Sequence, residues 1–266
     1  MLSKYPKFLD IVIIGAGNVA FHLSRALQVN GHRIVQVLGR STKNARELAS
    51  LLNCEYITNV QEINANAHLY ILCVPDSTIS QLAKSFPKIT GSIVHTSGST
   101  SMGVLSQTAE HYGVLYPFQT FSKIRKVIFK DIPFCIEANS QEIKKLLFDL
   151  ALSLEAKPLE MDSETRKWLH ISGVFSCNFV NHMLAISYLI TQNKGISFQN
   201  LKPLVFETIK KAFESNPFDT QTGPAIRGDS ETIRNHIALL TSMDEDIRDL
   251  YMTMSTSILN FNQDSQ

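Results

Sequence analysis

The chain has 266 residues, 44% of them hydrophobic and 18% charged, with a formal net charge of +1. Near-neutral charge provides no basic field for nucleic acid or an anionic bilayer, and the length suits two domains of roughly 100 to 200 residues each. The opening residues carry no long apolar region, and no segment approaches the roughly 18 apolar residues of a spanning helix; a cytoplasmic protein with neither a membrane nor a nucleic acid partner is expected. The four cysteines, Cys54, Cys73, Cys135 and Cys177, form no Cys-x-x-Cys and read as reduced packing residues rather than a metal site.

The β-branched run Ile11-Val12-Ile13-Ile14 breaks into Gly15-Ala16-Gly17-Asn18-Val19-Ala20 and then into a helical pattern. That order predicts a strand, a tight turn and a helix whose free N–H groups face an anion, the arrangement that holds a dinucleotide diphosphate. Gly15 permits the turn, Gly17 lets backbone approach phosphate, and the small Ala20 allows helix and strand to pack closely. A second strand, 33–38, ends without the acid that binds the ribose hydroxyls of NAD; Gly39-Arg40-Ser41-Thr42-Lys43 follows instead. A guanidinium and hydroxyls suit a 2′-phosphate, so NADP is the expected cofactor. Ser41 or Thr42 also suits the cap of the next helix, 43–52.

Further strands are expected at 69–74 and 92–95, ending in Val74-Pro75-Asp76 and Thr96-Ser97-Gly98. Asp76 or Ser77 is placed to cap the helix after the first of these. Strands at 134–137 and 156–159 bracket a helix from about 141 to 154. This alternation predicts a doubly wound parallel sheet of the Rossmann type over 1–161, with ligands gathered at the carboxyl ends of its strands. His95 is a candidate acid there, and Tyr116-Pro117-Phe118-Gln119 reads mainly as an apolar wall.

From Asp162 onward the pattern is helical only, giving a second domain over 162–266. Its first helix, 163–193, is about 45 Å long at ~1.5 Å per residue and apolar nearly all round, with Trp168, Ile171, Phe175, Phe179 and Leu189. Such a helix must be covered on several sides, and the helices near 201–214, 230–240 and 244–260 are too few, which predicts a homodimer. At 100° per residue His170, Asn178, Asn181 and His182 share one polar arc on it; His170 and Asn178 are the candidate catalytic residues, histidine being suited to proton transfer near neutral pH. The irregular 216–229 segment offers Thr222, the Gly223 amide and Arg227 for a substrate carboxylate.

Taken together, the glycine turn with Arg40-Ser41, the Cys73-Val74-Pro75-Asp76 and His95-Thr96-Ser97-Gly98 strand ends, the long helix with His170, and the Thr222-Gly223-Pro224 to Arg227-Gly228-Asp229 loop resemble the Rossmann-like NADP oxidoreductase group. Those proteins pair an N-terminal domain similar to deazaflavin-dependent NADP oxidoreductases with a helical domain of unassigned function. Pyrroline-5-carboxylate reductases and 3-hydroxyacid dehydrogenases are similar at greater distance. The resemblance implies a reductase acting on a small-molecule substrate. Val174 stands four residues before Asn178 where the hydroxyacid dehydrogenases carry a catalytic Lys, and Leu169-His170-Ile171-Ser172-Gly173 stands in place of the reductases' Ser-Gly-Ser-Gly-Pro. The expected reaction is hydride transfer between NADPH and a small polar carbonyl or imine. The rival expectations are a non-catalytic NADP(H) sensor and a dimeric scaffold.

Overall fold

Alternation of strand and helix governs the first two thirds of the chain, in a computed structural model that describes residues 5–264. In order come β1 (Asp10–Ile14), α1 (Asn18–Val29), β2 (Arg33–Leu38), α2 (Thr42–Leu52), β3 (Glu55–Ile57), β4 (Leu69–Leu72), α3 (Asp76–Ser85), β5 (Ser92–His95) and β6 (Tyr112–Pro117). They are followed by β7 (Pro133–Ala138), α4 (Gln141–Ser153) and β8 (Lys157–Glu160). The strands form one sheet in the order β3-β2-β1-β4-β5-β6-β7-β8, a doubly wound arrangement with its switch point between β1 and β4.

β1 lies inside the sheet, between β2 and β4, and is buried on both faces, which is why its sequence is a continuous apolar run rather than an alternation. Ile11 and Ile13 join the cluster built with Leu23, Leu27 and the α4 residues Ile143 and Leu147. Val12 and Ile14 join the opposite cluster with Ile79 and Ala83 of α3. On α1, Ala20, Leu23 and Leu27 are wholly buried, the i, i+3, i+7 stripe of a helix with one face on a sheet. One pairing departs from the parallel sheet expected: β6 and β7 run antiparallel. The connection between them, 118–132, contains no crossover helix, and a parallel return needs one.

The remaining elements are helical: α5 (Ser163–Gly173), a π-helical stretch (Val174–Phe179), α6 (Val180–Asn193), α7 (Lys202–Glu214), α8 (Ser230–Thr241) and α9 (Glu245–Asp264). Asp162 caps α5 by accepting from the Thr165 amide, and Asp229 caps α8 by accepting from Thr232. The chain divides into two compact units after Cys177, inside the long helix rather than at its start. The physical reason is Arg166, wholly buried and ion-paired with Glu137 of β7, which binds the first turns of α5 into the sheet unit.

Within one chain the apolar side chains of the long helix are left uncovered, as the small number of helices after it leads one to expect: Trp168 is 68% and Phe175 65% exposed. Three other expectations about it are corrected. Asn178, Asn181 and His182 are exposed too, so they are not desolvated groups in need of partners. The π-helical stretch adds about one residue to the turn, so a uniform 100° per residue does not hold across 174–179 and the single polar arc is lost. Finally, Ser163–Asn193 is long and apolar enough, by length and composition, to cross a bilayer. Counting consecutive apolar residues missed this because polar positions such as Arg166, His170 and Asn178 interrupt the run; Arg166, however, is packed into protein.

The second unit, described by itself, holds α6 to α9. α8 packs on α9, with the His236 ring nitrogen 2.9 Å from the Tyr251 hydroxyl. Among its described residues only Thr191 and Ala225 are buried, while Leu204, Phe206, Phe213 and Leu239 are each more than 60% exposed.

Candidate functional site

The turn after β1 is set by lack of room. Gly15 has φ +112°, and a Cβ there would meet the Cys73 carbonyl oxygen at 2.2 Å. Its amide donates to Leu38 O at 2.7 Å, so the turn is pinned to the ends of both neighbouring strands. Gly17 differs: a Cβ on it would meet nothing within 4 Å. Gly17 is the N-cap of α1, contributes no side-chain cap, and no acid occupies the first turn. The first N–H groups of α1, on Asn18 and Val19, are orphan donors at the positive end of the helix dipole.

This turn opens into a cleft of about 580 Å³. Of the residues expected to hold the cofactor, Gly15, Ala16, Gly17, Arg40, Ser41, Val74 and Pro75 line it, while Asn18, Val19, Thr42, Asp76, Thr96, Ser97 and Gly98 are not among its lining residues. Arg40 and Ser41 stand at its rim, both exposed; Ser41 caps α2 by accepting from the Asn44 amide, while Thr42 is the first residue of that helix. Thr58, Asn59, Gln81 and Ser85 also line the cleft and escaped the sequence reading. The first two follow β3, whose three residues are too short to show a strand pattern, and the others lie on a face of α3 that resembles any solvated helix surface.

The ends of β4 and β5 behave differently from expectation. Pro75, not Asp76 or Ser77, is the N-cap of α3, and it supplies no side-chain bond. Asp76 instead accepts from the Ser99 hydroxyl, tying the two strand-end loops together. Thr96 Oγ1 donates to Leu72 O at 3.1 Å; Ser97 Oγ donates to Thr100 Oγ1 and accepts from the amides of Ser99 and Thr100. Both hydroxyls are therefore committed to holding the turn.

A second group of residues converges at the ends of β5 and β6. The Tyr116 hydroxyl lies 3.1 Å from His170 Nδ1, and both side chains are half-buried. A Cβ on Gly98 would meet His170 Nδ1 at 2.7 Å and Tyr116 Cζ at 2.8 Å, so only glycine allows the two rings to close on the β5 end. Burial pushes the Tyr116 phenol up to about 12, which keeps it a hydroxyl at neutral pH. His170 owes its place to Arg166 one turn earlier. Beyond its pair with Glu137, Arg166 donates to Thr100 O at 2.6 Å, and Ser163 of the same turn donates to Glu137 and accepts from the Met102 amide. Tyr116 thus belongs to a polar pair, where its sequence context had suggested only packing.

His95 does not serve as an acid. It is wholly buried and its Nδ1 accepts from the Ser97 amide. Burial first, and the Arg166 charge second, lower it to about 4. Of the remaining candidates, Asn178 lies at the end of the π-helical stretch, in the second unit. Thr222, Gly223 and Arg227 lie in the irregular segment between α7 and α8 of that unit, with Thr222 and Arg227 exposed and Gly223 at φ +111°.

A glycine turn at the switch point of a doubly wound sheet, an uncapped helix start and a cleft beside it define a nucleotide-binding oxidoreductase scaffold. Residues 4–117 match the Rossmann-like domain family, and residues 132–258 match a domain of unknown function, DUF2520. The crystal structure of a putative NADP oxidoreductase from Bacteroides fragilis is 42% identical, with 95% of this chain and 98% of that one aligned at a TM-score of 0.87. The chain belongs to the family of that protein. Two more distant structures share the fold. A 1-pyrroline-5-carboxylate reductase from Streptococcus pyogenes is 19% identical over 95% of this chain and 100% of that one, TM-score 0.61. The reductive aminase from Aspergillus terreus, solved with NADPH, is 13% identical over 87% of this chain and 78% of that one, also at 0.61. The curated proteins contain no match.

The His95 environment makes a pH prediction. The unfolded chain binds a proton at this histidine below its ordinary 6.5, whereas the folded chain resists until about 4. Stability from this group is complete above pH 6.5 and falls by about 3 kcal/mol as the pH drops to 4. Denaturant unfolding of His95→Asn across that range should show a flatter decline than the parent; parallel curves would contradict the assignment.

Proposed function

We propose that this protein is an NADP-dependent oxidoreductase that transfers a hydride between NADPH and a small polar carbonyl or imine. The observation that carries the reading is the uncapped start of α1 at the open Gly17, facing a cleft with Arg40 and Ser41 at its rim. The cleft fits a dinucleotide. The amides of Gly17, Asn18 and Val19 bind the diphosphate, Arg40 with Ser41 and Thr42 takes the 2′-phosphate, and Val74 and Pro75 wall the path between them. NADPH, when bound, supplies the hydride. The chain's own contribution at the reacting end is a proton, held between Tyr116 Oη and His170 Nδ1. The pair delivers it to the substrate oxygen or nitrogen that becomes an alcohol or amine. Arg227, Thr222 and the Gly223 amide have the chemistry for a substrate carboxylate. Four free cysteines suit the reducing cytosol in which such a reductase works.

The second unit supports a homodimer. A helical unit with two buried residues among those described has no core of its own, and exposed apolar surface on that scale is normally covered by a partner. A second copy of the chain is the cover that needs no other component. Light scattering should give twice the 29.8 kDa chain mass; a monomer, or a chain that pellets only with lipid vesicles, would contradict it.

Turnover separates a reductase from a sensor. With a panel of keto acids, aldehydes and cyclic imines, the parent should oxidise NADPH, and His170→Ala and Tyr116→Phe should each lose about a hundredfold or more in rate while binding NADPH as before. A parent that binds NADPH and oxidises it with no member of the panel would favour the sensor.

A further inference from the structure

The segment that joins β6 to β7 does more than connect them. Three successive residues of it are fastened to the glycine turn and the start of α1. Phe121 O accepts from Asn18 Nδ2 at 2.9 Å, Ser122 O lies 3.0 Å from His22 Nε2, and Lys123 Nζ donates to Ala16 O at 3.1 Å. Phe121 is itself anchored between the rings of His22 and Phe129, at 5.9 and 6.0 Å. The Lys123 ammonium rests 5.6 Å from the centre of the Phe21 ring. A lysine that would otherwise extend into water is thus held on the turn, more than a hundred residues away in sequence.

Its charge is not neutralised there. No carboxylate among the described residues pairs with Lys123, whereas eight other lysines and arginines do make ion pairs. The first turn of α1 carries no acid. One N–H of three is used by Ala16 O, which leaves two donors for an anion. The helix start offers only about half an elementary charge, and a dinucleotide diphosphate brings two negative charges to it. We infer that Lys123 is a diphosphate-binding residue that reaches over the glycine turn from the β6–β7 segment and supplies the full positive charge the helix start lacks. This rests on the nucleotide reading of the cleft and adds a division of labour to it: Lys123 serves the diphosphate common to NAD and NADP, and Arg40 serves the 2′-phosphate that distinguishes them.

The test uses three probes measured by titration calorimetry: NADP, NAD, and adenosine 2′-monophosphate, which carries the 2′-phosphate and no phosphate at the 5′ position. Lys123→Met keeps the apolar stem on Phe21 and removes the charge. It should weaken NADP and NAD alike, by about tenfold, flatten the salt dependence of both, and leave the monophosphate unchanged. Lys123→Arg should retain affinity. Arg40→Ala should do the reverse of Lys123→Met, weakening NADP and the monophosphate and sparing NAD. Unchanged NADP and NAD affinity in Lys123→Met overturns the inference while the nucleotide site stands. Equal loss for all three probes, or a lowered thermal midpoint without ligand, makes Lys123 a structural strap and overturns it too. A parent that binds none of the three overturns both the inference and the reading beneath it.

Discussion

Between Gly15 and the carbonyl of Cys73 there is no space for a methyl group, and the rest of the site follows from that contact. It forces the chain to turn at the end of β1, hard against the end of β4, at the one place in the sheet where the strand order reverses. The turn aims the start of α1 outward with its amides uncapped. A side-chain cap at Gly17 would satisfy those donors and close the anion site. Leaving them orphaned costs stability, and a bound diphosphate restores it. Glycine at 15 is therefore a packing requirement, and glycine at 17 leaves open space where a ligand approaches.

The second constraint is the buried ion pair of Arg166 and Glu137. Breaking such a pair by removing one partner costs about 3–5 kcal/mol, since the other charge remains buried. Here the pair fixes the first turns of α5 on β7 and on the loop after β5, through Thr100 O and Ser163. One turn later His170 meets Tyr116 and Gly98. The Tyr116 and His170 pair thus stands on supports from three strand ends, and the proton transfer proposed for it would be sensitive to a small misplacement.

Much of this was legible in the sequence wherever local chemistry decides structure. The β1 run, the glycine turn, the Ser41 cap and the caps Asp162 and Asp229 all depend on neighbours within a few residues. What depends on distant partners was hidden. The antiparallel β7 follows from a connection without a helix, the π-helical stretch shows no signature in Val174-Phe175-Ser176-Cys177-Asn178-Phe179, and Asp76, a good cap by residue type, is drawn instead to Ser99. Tyr116 looked apolar by context because its partner lies 54 residues on. Lys123 gave no signal at all, since a lone lysine in a polar loop is the commonest of surface features.

The measurement closest to the centre of this account is a crystal structure with NADPH bound. The diphosphate should lie on the amides that begin α1, the 2′-phosphate at Arg40, and the nicotinamide should be directed toward Tyr116 and His170. A coenzyme seated elsewhere, or lying in the cleft with its diphosphate away from Gly17, would contradict it.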